Sequence, residues 1–161
     1  MPRGTFDLHL QELHNDLLRM GSIVEKHVYQ SIEALVNQDV ELADTIIQND
    51  DLVDDLQKEI EDKCIKLIAM QQPLAKDLRN IFTTSKIVTD LERMADHAVD
   101  ISKIVKRLKG EKYIKELIDI PRAANIVQTM IKESLDSYVE GNVDKAYITC
   151  KMDDQIDAIY K

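Results

Sequence analysis

The sequence predicts an all-α protein, an antiparallel three-helix bundle followed by a partial, repeated second three-helix bundle. Three observations carry that expectation. Glycine and proline are scarce, with 4 and 3 residues in 161, and aromatics make up only 4% of the chain while charged residues make up 32%. Long runs place aliphatic residues three or four apart, the period of an amphipathic helix, and no stretch alternates as a strand would. Finally, sliding the sequence by 103 positions aligns residues 23–58 with 126–161, so one helical design occurs twice.

The first helix is expected from about Phe6 to Val36, with Leu10, Leu13, Leu17, Met20, Val24, Val28, Ile32 and Leu35 on one seam. A second is expected from near Asp39, a suitable N-cap, through Leu42, Ile46, Val53, Leu56, Ile60, Cys64 and Leu67 to Gln71-Gln72-Pro73, with Asn49 as the one polar residue of its seam. Proline is tolerated in a first helical turn, so a third helix is expected from Pro73 to about Lys109, where Lys106, Arg107 and Lys109 favour the negative end of the dipole and Gly110 can cap it. Residues 111–120 read as a linker or short helix. Pro121 is expected to open a fourth helix ending near Gly141-Asn142, and a fifth begins after it. The expected organisation is therefore a first unit over 1–110 and the beginning of a second over 111–161.

The repeat pairs Ser31 with Ser134, Val36 with Val139, Val40 with Val143 and Ala43 with Ala146, and it pairs Asp50 with Asp153 and Asp54 with Asp157. By the plan of the first copy, the counterpart of the third helix would follow residue 161. The chain thus reads as a truncated molecule, with an expected apolar groove left between its last helices and, in consequence, self-association or lability at the C-terminal end.

A hairpin folded at Pro73 sets Asp50 opposite Asp96 and Asp54 opposite Glu92. Within each helix the pair is four apart, which puts both carboxylates on one face with Cβ atoms about 6 Å apart. Two like charges at that spacing repel by about 3 kcal/mol at an effective dielectric near 20. Asp51, Asp55, Glu59, Glu61 and Asp62 add to the charge against Lys58, and Asp90 and Asp100 against Arg93. A bound cation would turn that repulsion into affinity. A solvated acidic face is the plain alternative, since exposed carboxylates repel weakly in water. Glu92 adds a clue: it borders Val88 and Val99 at the edge of the apolar seam, so a carboxylate there is partly desolvated and needs Arg93, a neighbouring lysine or a metal as partner. Oxygen donors suit magnesium, calcium, manganese or ferric iron, whereas zinc usually recruits His or Cys. His97 is turned about 100° from Asp96 around the helix, and His9, His14 and His27 all lie on the first helix; His27 sits near its seam and reads as a packed or surface residue.

Net charge is −9 and the isoelectric point is near 4.9, which argues against nucleic acid or an anionic membrane as direct partner. Cys64 and Cys150 match no ligand spacing and read as reduced core residues of a cytoplasmic protein. Met1–Leu10 has no apolar leader, and no stretch approaches the ~18 apolar residues of a membrane span.

Two stretches of the third helix carry a resemblance. Gln72-Pro73-Leu74-Ala75-Lys76-Asp77-Leu78-Arg79 and Leu91-Glu92-Arg93-Met94-Ala95-Asp96-His97-Ala98, within a duplicated bundle, resemble the PhoU family of phosphate-signalling regulators; Met94-Ala95 stands where the family pattern has Ile-Gly. The resemblance implies a cytoplasmic, non-enzymatic negative regulator of phosphate uptake and phosphate-starvation signalling. Its partners would be the ATPase of a phosphate ABC transporter, a sensor histidine kinase and further copies of itself, as a dimer or other homo-oligomer. It further implies a metal cluster, iron or zinc, held through Glu/Asp-x-x-x-Asp segments. Asp50, Asp54, Glu92 and Asp96 match these, and Asp153 and Asp157 repeat the first pair. Three rivals stand beside it: a carboxylate-bridged di-iron enzyme, for which the Glu-x-x-His pairs are missing; a phosphotransfer bundle using His97; and a purely structural helical adaptor. Arg79 and Arg93 lie in no Gly-rich loop or convergent basic pocket, so phosphate contacts through them are not expected.

Overall fold

The computed structural model describes residues 3–161, apart from the side chain of Gln71; the sequence reading of Met1 and Pro2 lies outside that range. The helices are α1 (Arg3–Asn37), α2 (Val40–Gln48), α3 (Asp50–Gln71), α4 (Ala75–Arg107), α5 (Asp119–Glu140), α6 (Val143–Lys151) and α7 (Asp153–Tyr160). No strand occurs among the described residues, as the composition predicts. The main core joins Leu13, Leu17, Met20 and Val24 of α1 to Val53 and Ile60 of α3 and Ile81, Val88 and Leu91 of α4. A smaller cluster of Ala34, Ala43 and Val105 closes the far end, where α2 packs on α1 and α4.

The expected second helix is in fact two. Asn49 sits at ψ 1°, with its N–H turned to the carbonyls of Thr45 and Ile47, and α3 starts anew with Asp50 and Asp51 at its N-terminus. Asparagine favours such a cap over a helix interior, and two carboxylates are well placed at the positive end of a new helix dipole. The same interruption falls 103 positions later at Met152, with Asp153 and Asp154 opening α7. Caps repeat at the same interval. Asp39 accepts from Leu42 N–H at 3.0 Å, and Asn142 accepts from Lys145 N–H at 3.0 Å, while Gln38 and Gly141 before them both have positive φ, 51° and 67°. Glycine suits that conformation. Gln38 is held in it by a side-chain hydrogen bond to the Glu111 carbonyl at 2.6 Å.

Helix α4 begins at Ala75 rather than Pro73, with Leu74 at its N-cap; Pro73 instead marks the end of α3, because proline drives the residue before it out of the right-handed helical region. Gln72 accordingly ends α3 at φ 42°, and Leu74 is extended. Pro121 lies in the first turn of α5 but does not open it; the helix starts at Asp119, and a missing N–H in that turn breaks no helical bond. In the second half of α1 the fully buried side runs Val24, His27, Ser31 and Ala34, not Val28, Ile32 and Leu35, which are half-buried. Val28 packs at the edge of the main core and Leu35 at the edge of the smaller one, while Ile32 turns to the cleft between α1 and α5. Burial holds the His27 imidazole below its usual pKa, with Lys26 adding to the shift. Cys64 is buried as expected, but Cys150 is exposed: on α6 the described chain places no helix over that side.

A polar knot ties α5 back to α1 and α4. The Tyr138 hydroxyl lies 2.7 Å from the Asn80 carbonyl oxygen, 2.5 Å from Asn80 Oδ1 and 2.9 Å from Thr84 Oγ1, and His14 Nε2 is 2.9 Å from the same Oδ1. Because an amide oxygen only accepts, His14 carries its proton on Nε2. Tyr138→Phe should therefore cost about 1 to 2 kcal/mol in urea unfolding, since Asn80 and Thr84 stay half-buried or buried with a partner removed.

Candidate metal centre

The α3–α4 hairpin sets the register of the acidic residues. Cys64 Sγ lies 3.7 Å from the Ile81 carbonyl, and at that register Asp50 stands level with Asp96 and Asp54 level with Glu92. The electrostatics of the site follow. Asp50 is half-buried and its carboxyl is raised above the ordinary range, first by burial, then by the charges of Asp54, Asp96 and Asp51, with Lys103 opposing. Glu92 is pushed from 4.5 up to about 7, first by burial, then by a hydrogen bond with Asp96 and the charges of Asp96, Asp54 and Asp50. Four carboxylates from two helices thus share one field. At neutral pH a proton held by Glu92 and donated to Asp96 relieves part of the repulsion.

Asp50 carries the most informative atom of the site. Its Oδ1 is out of contact with solvent and has no hydrogen-bond partner, the condition in which a carboxylate oxygen gains most from a cation. Arg93, considered above as a partner for Glu92, instead pairs with Asp90 at 3.8 Å. Lys103, 4.0 Å from Asp100, is among the described residues the cation that offsets the Asp50 shift. It lies seven residues, about two turns, beyond Asp96 on the same face, so its place was legible from helical period.

Asp50, Asp54, Glu92 and Asp96 are hard oxygen donors, and the stranded Oδ1 fits them to a multivalent cation of the magnesium, calcium, manganese or ferric class better than to zinc. His97 is exposed and points around the helix from Asp96. Among the described residues, no three His, Cys, Asp or Glu side chains already close into a ligand cage; binding would draw the carboxylates inward by side-chain rotation.

Asp153 and Asp157 are not part of this cluster. Both are exposed on α7, which packs on α5 and α6. Asp153 lines a groove of about 320 Å³ with Asp90, Met94 and Ile87 of α4 and Val127 and Ile131 of α5. It lies between α4 and α5 with the start of α7 at its edge, not between the last helices α5 and α6–α7 where the open groove was expected, and it runs along the flank of α4 away from Glu92 and Asp96.

A family description of the PhoU domain matches residues 17–105 and 120–161. The chain is 59% identical over its whole length to a phosphate-specific transport system accessory protein PhoU homologue of Clostridium acetobutylicum, of which it spans 74%. It is 36% identical, over 94% of its length, to the homologue of Aquifex aeolicus, of which the match spans 68%. Among solved structures, PhoU from Streptococcus pneumoniae superposes with a TM-score of 0.89 at 32% identity, covering 96% of this chain and 73% of that one. PhoU from Pseudomonas aeruginosa does so at 0.90 and 31%, covering 96% and 75%. These relatives are named as accessory or regulatory proteins, not as enzymes. The chain belongs to the PhoU family.

Proposed function

We propose that this chain is a cytoplasmic negative regulator of phosphate uptake and phosphate-starvation signalling. It acts without catalysis, by docking on the ATPase of a phosphate ABC transporter and on a sensor histidine kinase, and it self-associates. What supports the regulatory role is the 59% identity across the whole chain to a phosphate-transport accessory protein. No helix among the described residues is long and apolar enough to cross a membrane, which agrees with attachment through partners. In this reading residues 1–110 form the first docking unit and 111–161 the start of the second.

The acidic cluster is the chemical feature of that platform. Asp50, Asp54, Glu92 and Asp96 would hold a cation whose charge neutralises the face, and the buried Asp50 Oδ1 is the observation that carries this part. Asp153 and Asp157 would contribute only if further carboxylates were brought to α7. The test is a Glu92→Ala/Asp96→Ala variant, in which two exposed or half-exposed side chains are shortened and the fold is retained by circular dichroism. Expected is loss of bound metal by elemental analysis, together with phosphatase reporter expression in phosphate-replete cells. Metal content equal to that of the unaltered protein removes the site, and a normal reporter response with metal lost makes the cation a bystander.

A further inference from the structure

We propose that the outer face of the α3–α4 hairpin tip is a docking surface for an acidic amphipathic helix of a partner protein. This deepens the docking role above, on which its biological meaning rests, by naming a surface and the chemistry of what it receives.

Leu74, Leu78 and Phe82 follow at intervals of four along the start of α4, so they form one stripe. They are exposed by 68%, 39% and 59%, and Ile65 of α3 by 64%. The hairpin register, fixed by Cys64 against Ile81, sets Ile65 at the level of Phe82. Large apolar side chains gathered in this way on a charged, acidic chain mark an interaction site. The described part of the second unit does not cover them. α5 reaches this part of α4 through Asn80 and Thr84, each two residues beyond a member of the stripe and hence about 200° around the helix from it.

Charge decides the occupant. Residues 75–89 hold Lys76, Arg79 and Lys86 against the single acid Asp77, a local excess of positive charge on a chain of net charge −9. Lys86 Nζ stands 5.5 Å from the Phe82 ring centroid. Lys76, two residues from Leu74 and Leu78, falls on the far side of the helix, whereas Arg79 and Lys86 border the stripe, and among the described residues neither of these two forms an ion pair. An apolar stripe bordered by two such cations is complementary to a helix with a leucine-type face and flanking Glu or Asp. An anionic bilayer fits less well, because it would cover the whole outer face of the hairpin, including Glu92 and Asp96 about 15 and 21 Å beyond Phe82, whereas a helix crossing the tip meets the stripe and its two cations alone.

The experiment titrates the isotopically labelled full chain with three synthetic amphipathic helices of about 20 residues, with one leucine face and flanks of glutamate, glutamine or lysine. Expected is perturbation of the Leu74, Leu78 and Phe82 resonances by the glutamate peptide, with an affinity about tenfold above that of the lysine peptide. Leu78→Ser/Phe82→Ser, which alters only exposed positions, should lower affinity about tenfold, and Arg79→Glu/Lys86→Glu should reverse the preference to the lysine peptide. Equal binding of all three peptides, or shifts confined to other surfaces, overturns the proposal. So does concentration-dependent dimerisation through the same residues, or flotation with phosphatidylglycerol vesicles in place of peptide binding. These readouts are independent of phosphate signalling. A gene deletion that leaves phosphatase expression normal would remove the regulatory role and leave the peptide result standing.

Discussion

Gly21→Leu should destabilise the protein by about 3 kcal/mol, the upper end of the usual cost of overpacking, and release α5 from α1. A Cβ at Gly21 would lie 2.0 Å from Leu135 Cδ1, inside any van der Waals contact. A glycine in mid-helix forfeits about 1 kcal/mol of helix propensity relative to alanine, and here its missing side chain is what admits Leu135. Alanine can be accommodated if the Leu135 tip swings aside, so Gly21→Ala should change stability little, the propensity gain offsetting the repacking. Leucine has no such escape. For a chain of this size the expected fall in Tm is about 6 to 12 °C, and amide exchange should rise in α5 while α3 and α4 stay protected. Leu135→Ala should relieve part of the clash, so the double variant should cost less than the sum of the singles by about 1 kcal/mol or more. A Gly21→Leu protein within about 0.5 kcal/mol of the unaltered one would show that α1 and α5 are not held by this contact.

That contact also shows where sequence reading ran out. The repeat pairs Ile32 with Leu135, and its interval of 103, carried two positions upstream of the aligned segments, sets Gly21 against Ala124. In the structure Ala124 and Ile32 line the same cleft between α1 and α5, so the two units meet with each small residue opposite a branched aliphatic of the other. The duplication was visible in the sequence, and the caps at Asp39 and Asn142 confirm its interval, but the meeting of α1 with α5 was not. Periodicity reports which face of a helix is apolar, not which of several apolar faces it meets. For the same reason periodicity did not show that Ile32 turns towards α5 while Val28 and Leu35, on the same seam, stay with the two cores of the first unit. The break at Asn49 was signalled by the one polar residue in its seam, yet Met152 gives no such signal for the matching break, and Cys150 looked like a core residue because its covering neighbour was assumed. By contrast the pairing of Asp50 with Asp96 and Asp54 with Glu92 needed only a proline turn and a helical rise. So did the desolvation of Glu92, which follows from its place beside Val88 and Val99. What spacing could not give was the stranded Asp50 oxygen, or the turn of Arg93 towards Asp90, because both depend on side-chain rotation.

Without metal, the protein should lose stability as pH rises from about 4.5 to about 7. Glu92 has a folded pKa of about 7 against an ordinary 4.5, so over that window the folded state holds a proton that the unfolded chain releases. The contribution is complete below the unfolded value and is lost as pH passes the folded one. Asp50 is raised in the same direction and steepens the loss. Because Glu92 is only partly buried, solvent screening reduces the effect to about 1 kcal/mol. Glu92→Gln, which cannot ionise, should flatten the profile and be the more stable protein at pH 8. A divalent cation reverses the problem. At about a hundredfold its dissociation constant it should stabilise the folded state by about 2.7 kcal/mol, raising Tm by about 5 to 10 °C, and Glu92→Ala/Asp96→Ala should abolish the gain. Since binding must displace the Glu92 proton, affinity should fall by about tenfold per unit as pH drops below 7. Thermal unfolding of chelator-treated protein at pH 5 to 8, repeated with manganese and with magnesium, reads all of this at once. A pH-independent Tm without metal, unmoved by either ion, would return the four carboxylates to the status of a solvated surface, because neither the mutual repulsion nor the buried Asp50 oxygen would then influence folding.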